Sequence, residues 1–259
     1  MIQQARPIAA FFASVHRHEG EARMIVPEND SRIETDTITI QGASGDIPVY
    51  VARPAGGTGA PGILVIHENK GVTSHIRDVV RRAAVEGFVA GAPDFLAPLG
   101  GTPDDESKGP EMTKRLDMGQ TKADALAALA YVKGRDDCSG KIGCVGFCWG
   151  GALANQVAVN APDLDAGVVF YGRSPAIEDV PKIKAKLLLH YGSLDENINA
   201  GMPGYEAALK AAGTDYRLHT YEGGQHAFHN DTNAERYHRQ NAQLAWRRTI
   251  DFFKANLAG

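Results

Sequence analysis

Apolar and polar residues alternate along 35–41 (TDTITIQ) and again along 47–54 (IPVYVARP), with the GASGD stretch between them rich in turn formers. A period of two is that of a half-buried strand, so these two segments predict a β-hairpin. The pattern then changes to short runs that are apolar nearly throughout: 62–68 (GILVIHE), 88–94 (FVAGAPD), 141–147 (KIGCVGF), 166–172 (AGVVFYG) and 185–192 (AKLLLHYG), with 216–223 (YRLHTYEG) last. Segments at helical spacing separate them, at 74–87, 121–135, 151–160 and 204–213, and a long helix over about 234–256 closes the chain. Residues 99–112 read as an irregular excursion. The PIAAFFASV stretch at 7–15 reads as an amphipathic helix in an N-terminal extension, 1–34, ahead of a single domain, 35–259. It is followed by HRHEGEAR rather than by a small-x-small cleavage pattern, so it is not read as a signal remnant.

Strands buried on both faces and separated by helices predict an α/β fold. The expected architecture is one doubly wound, mostly parallel sheet with helices on both faces. Composition agrees with one large domain: 259 residues, 43% apolar and 22% charged. A formal charge of -4 gives no basic surface for nucleic acid or an anionic membrane. No apolar run approaches the roughly 20 residues of a spanning helix. Three cysteines are too few, and odd in number, for a disulfide framework, which points to a reducing, cytoplasmic setting.

In a sheet of this kind, ligands gather at the carboxyl ends of the strands. The residues that follow each strand are Glu68, then Cys148, then Tyr171 and Arg173, then Asp195, then His226. A thiol, two carboxylates, a phenol, a guanidinium and an imidazole therefore fall on one edge. Gly146-Phe147-Cys148-Trp149-Gly150 fits a glycine–x–nucleophile–x–glycine turn, in which a sharp strand-to-helix bend exposes the central side chain. The following helix dipole favours thiolate, and the Trp149 N–H is aimed where an oxyanion would develop. The order nucleophile, acid, histidine (148, 195, 226) is that of hydrolases built on this turn. Cys138 and Cys144, and His75, His190 and His219, read as packing or surface residues. His226 and His229 stand three apart, but no cluster completes a metal site, and no cofactor is expected.

These blocks resemble the dienelactone hydrolases, cysteine members of the α/β-hydrolase fold. GFCWGG, GSLDENIN, GGQHAF and HENKGVTSHIRDVVRRAAVEGFVAGAPD match the family's blocks in order, over roughly 35–257. The resemblance implies a Cys148 nucleophile, a His226 base, an orienting Asp195, and a Glu68 that controls thiol ionisation. It implies an oxyanion hole from the N–H groups of Trp149 and Asn69, and hydrolysis of a lactone or small ester through an acyl-cysteine. The chain departs from the pattern where arginines hold a substrate carboxylate, at Pro98 and Asn230. Dienelactone itself is therefore not the expected substrate, and Arg173, with Tyr171, is the candidate substrate contact. A general esterase or thioesterase is the neighbouring reading, and a peroxide-reactive thiol, with Cys144 four residues from Cys148, is a more distant one. The N-terminal extension and the last helix each offer a surface for a homodimer.

Overall fold

A computed structural model describes residues 25–258. Its strands are β1 (Ile33–Gly42), β2 (Gly45–Pro54), β3 (Ala60–Ile66), β4 (Val89–Pro93), β5 (Cys138–Phe147), β6 (Ala166–Phe170), β7 (Lys186–Gly192) and β8 (Tyr216–Tyr221). The helices are α1 (Ser74–Val85), α2 (Gly109–Lys114), α3 (Met118–Lys133), α4 (Trp149–Asn160), α5 (Glu196–Asn199), α6 (Met202–Ala212) and α7 (Arg239–Leu257). All eight strands form one sheet in the order β1-β2-β4-β3-β5-β6-β7-β8. The predicted hairpin is present as the antiparallel pair β1–β2, and β2 runs antiparallel to β4; the remaining neighbours are parallel.

From β3 the chain moves outward to β4 on one side and then returns to place β5 on the other. That reversal opens a crevice at the carboxyl ends of β3 and β5, where such sheets bind ligands. Each face of the sheet carries its own core. One unites Ile76, Val79 and Val80 of α1 and Trp246, Ile250 and Phe253 of α7 with Val65, Val145 and Phe147. The other unites Leu129 of α3, Leu153 and Val157 of α4 and Leu209 of α6 with Leu64, Ile66, Ile142 and Cys144. Alternation along β5 sends Cys144 and Val145 to opposite cores, as a pleated strand requires.

Several boundaries differ from the sequence reading: β5 starts at Cys138 rather than 141, α3 at Met118 rather than 121 and α6 at Met202 rather than 204. The 99–112 excursion ends in helix α2, which starts at Gly109 just after a single 3-10 turn, Glu106–Lys108. Helix α4 begins at Trp149 rather than 151, because Cys148 is itself the capping residue. Helix α7 begins at Arg239 rather than near 234. The residues before it are held as turns by bonds from the Tyr237 N–H to the Asn233 carbonyl (2.9 Å) and from the His238 N–H to the Phe228 carbonyl (2.9 Å). The helix expected at 7–15 lies outside the described residues.

Candidate active site

Strand β5 passes directly into α4 through Cys148, whose backbone sits at φ 56° and ψ -117°. This is strained ground for a residue with a β-carbon. Three contacts show why glycines surround it. A methyl on Gly146 would run into the Gly150 carbonyl, one on Gly150 into the carbonyls of Ile66 and His67, and one on Gly151 into Gly172. The backbone is locked by a bond from the Cys148 N–H to the Phe170 carbonyl (3.0 Å) and one from the Ala152 N–H to the Cys148 carbonyl (3.2 Å). Trp149 is the first residue of α4, so its N–H is one of those the helix cannot satisfy itself.

The Cys148 thiol meets His226, with Sγ and Nε2 3.0 Å apart. On the other side of the ring, Nδ1 lies 2.6 Å from Oδ2 of Asp195. A carboxylate only accepts, so Nδ1 carries the hydrogen and Nε2 faces the sulfur. Asp195 is buried just beyond β7, and His226 lies on the loop after β8. Burial pulls the His226 imidazole down, but its bonds to Asp195 and Cys148 and the charges of both prevail and raise it to about 10. At neutral pH the ring that faces the sulfur is therefore an imidazolium.

Glu68, just past β3, is buried and turned toward different partners. Its Oε2 accepts from Nδ2 of Asn230 at 2.6 Å, and its Oε1 lies 3.5 Å from the Tyr171 hydroxyl. Asn230 Oδ1 accepts from both the N–H and the hydroxyl of Thr232 (3.0 and 2.7 Å), which fixes the amide with its nitrogen toward Glu68. Asn230 is thus more than a missing arginine, because it holds the carboxylate with a neutral donor. Among the described residues, neither Glu68 oxygen bonds the thiol. Tyr171 is fully buried, with φ 39° and its ring 5.2 Å from that of His226. Burial, and then the charges of Glu68 and Cys148, push its phenol well above the ordinary range, so it stays a donor.

Beneath the His226 loop, Asp231 receives Nδ1 of His75 (2.9 Å) and Nη2 of Arg82 (2.6 Å), and Arg82 also bonds Asp78. These contacts tie the loop to α1. Burial works to raise the Asp231 carboxyl, but the bond from His75 and the Arg82 charge hold it well below its usual range.

Sequence reasoning passed over His67, the last residue before Glu68. It is fully buried, its Nδ1 lies 2.5 Å from the Glu68 carbonyl oxygen, and its Nε2 accepts the Phe95 N–H at 3.2 Å. A polar residue ending an apolar strand run was the signal. Arg173, by contrast, is exposed, while its carbonyl is held by Asn155 (2.9 Å), which in turn receives the buried Tyr205 hydroxyl (2.9 Å). Arg173 rims a cleft of about 440 Å³ with Met118, Lys122, Trp149 and Leu153. Among the described residues no three His, Cys, Asp or Glu side chains gather as a metal-ligand set, and no helix is long and apolar enough to cross a membrane.

Residues 47–257 match the Dienelactone hydrolase family. The chain belongs to that family. A relative from Methylorubrum extorquens, whose name assigns it to the carboxymethylenebutenolidases, is 34% identical over 81% of this chain and 77% of its own. Another so assigned, from Escherichia coli O157:H7, is 31% identical over 90% of this chain and 91% of its own. The crystal structure of a protein assigned as a dienelactone hydrolase from Klebsiella pneumoniae superposes with a TM-score of 0.78 at 28% identity, covering 85% of this chain and 98% of that one. The protein is thus a dienelactone hydrolase-like member of the α/β-hydrolase fold, a hydrolase acting on ester bonds.

Proposed function

We propose that this dienelactone hydrolase-family protein cleaves a lactone or small carboxylic ester through a covalent acyl-cysteine. The observation that carries the reading is the hydrogen-bonded line Cys148–His226–Asp195 at the strained turn between β5 and α4. The Cys148 thiolate attacks the carbonyl carbon, and the C=O electron pair moves onto oxygen. The N–H groups of Trp149 and Asn69 receive that oxyanion. Its collapse breaks the ester C–O bond, and the leaving oxygen takes the proton from His226. Neutral His226 then draws a proton from water, whose oxygen attacks the thioester. Collapse of the second oxyanion returns the sulfur and frees the acid. Asp195 keeps Nδ1 protonated and steadies the imidazolium.

Glu68 governs the resting thiol in this reading. A carboxylate in the same pocket repels thiolate, and the Tyr171 hydroxyl, sensitive to the charges of both groups, stands beside them. Substrate choice falls to the Arg173 cleft, since Pro98 and Asn230 stand where the family's carboxylate-binding arginines are expected. Among the described residues, neither Arg173 nor Lys122 pairs with a carboxylate, which leaves both free to meet a substrate. A panel of lactones and short-chain esters tests this. Turnover of members of that panel is expected, with lower kcat/KM on dienelactone, loss of turnover in Cys148→Ala and a raised KM in Arg173→Ala. Turnover of thioesters and simple acetates with no lactone cleaved would favour the general esterase reading. Arg173→Ala without effect would remove that residue from substrate binding.

A further inference from the structure

We infer that His67 is a positioning residue that presents the Asn69 N–H to the reacting oxygen. The inference rests on the proposed oxyanion site and identifies what holds it in place. Phe95 N–H donates to His67 Nε2, so Nε2 bears no hydrogen and Nδ1 does. That Nδ1–H donates to the Glu68 carbonyl. In a trans peptide the C=O and the next N–H point in opposite directions, so fixing the Glu68 carbonyl on His67 turns the Asn69 N–H away from the ring. The following peptide is pinned as well, because the Asn69 carbonyl accepts the Thr113 hydroxyl at 2.8 Å. The turned-away N–H lies on a segment packed against the start of α4, where a β-carbon on Gly150 would run into the His67 carbonyl.

The same ring also supports the second donor. The His67 imidazole stacks on the Trp149 indole, with centroids 5.3 Å apart and planes 17° apart. Phe95 packs on both rings at 5.4 and 6.1 Å. One neutral imidazole therefore orients the peptide that carries one donor and buttresses the residue that carries the other. Burial lowers its proton affinity, which keeps the ring neutral and this tautomer in place. A histidine that only filled the core would not need these contacts. His190 is equally buried and bonds Thr249 and Tyr221, and His229 is buried with neither nitrogen bonded. His67 alone among these three bridges the ends of β3 and the start of α4.

The test compares wild type, His67→Phe and His67→Asn for p-nitrophenyl acetate hydrolysis, alongside alkylation of Cys148 by iodoacetamide across pH. His67→Phe keeps an aromatic ring but removes both hydrogen bonds, whereas His67→Asn keeps an amide donor near the Nδ1 position. Loss of one oxyanion donor lowers kcat by about 100-fold or more, and misdirection of a donor that remains is expected to cost about 10- to 100-fold. The expected result for His67→Phe is that fall in kcat, with KM within about threefold and an unchanged alkylation rate and pH profile; His67→Asn recovers most of the loss. Turnover by His67→Phe at the wild-type rate would overturn the inference, as would His67→Asn being equally slow or alkylation falling in step with kcat. Nitrogen-15 NMR of the wild type needs no variant: an Nδ1-protonated neutral His67 is expected, and an Nε2-protonated ring would overturn the inference. Hydrolysis that survives Cys148→Ala would instead sink the cysteine mechanism, a result separable from either outcome for His67.

Discussion

Cys148 pays for its exposure in backbone strain, since a residue with a β-carbon at positive φ costs about 1–3 kcal/mol. Cys148→Gly is therefore expected to raise stability by about 1 kcal/mol in urea denaturation while hydrolysis is lost. Stability unchanged or lowered would argue that packing around the thiol outweighs the strain. Glu68 offers a second test at this scale. Removing its charge in Glu68→Gln should speed iodoacetamide alkylation of Cys148 at neutral pH several-fold, because thiolate is no longer repelled. An unchanged rate would mean that Asn230 and Tyr171 hold the carboxylate out of electrical contact with the sulfur. The strand-end rule brought Cys148, Asp195, His226 and Glu68 into view in the sequence. It passed over His67 because a histidine at the end of an apolar run looks like packing until its hydrogen bonds are seen. Asn230 was legible only as a departure from the family pattern, since the donor it presents to Glu68 depends on Thr232.

Between elements, the crossing of β5 and α4 rests on glycine. Gly146→Ala is expected to destabilise by more than about 2 kcal/mol, since its methyl meets backbone that no side-chain rotation can relieve. A change under about 0.5 kcal/mol would show that the crossing is looser than described. This turn was readable because glycine spacing is imposed by contact within a few residues. Helix α2 was not, because its six residues follow a stretch of Gly, Pro and Asp that carries no apolar period. The tie between α1 and the His226 loop is likewise invisible in the sequence, as Arg82 and Asp231 are 149 residues apart. Asp231→Asn weakens the bonds to Arg82 and His75 while Arg82 keeps Asp78, and is expected to cost about 1.5–3 kcal/mol. The folded Asp231 carboxyl is held below its unfolded value, so its contribution is full above that value, about pH 4, and is lost as pH falls through the folded one. Below about pH 4 the stability of Asp231→Asn should therefore fall less steeply than that of wild type. Parallel acid-denaturation curves would remove Asp231 from that account.

Across the whole molecule, the sheet divides the cysteines as well as the cores. Cys144 is buried among the residues facing α3 and α4, and burial pushes its thiol up to about 12, whereas Cys148 packs on the other core and is only half-buried. Peroxide should therefore convert Cys148 to a sulfenate without forming a Cys144–Cys148 disulfide. A disulfide in the peptide map would revive the redox reading and require β5 to open. The alternation along β5 fixes this separation, and it follows from the sequence pattern once the strand is recognised. The reversal of strand order between β3 and β5, which makes the crevice, does not, because pairing order is set by packing across the sheet. The proposed chemistry is tested most directly by rapid acid quench of the wild type with a short-chain ester, followed by intact-mass and peptide mapping. The account predicts a single acyl group carried by Cys148, formed before steady turnover and absent from Cys148→Ala. An acyl group on any other residue, or undiminished hydrolysis by Cys148→Ala, would contradict it.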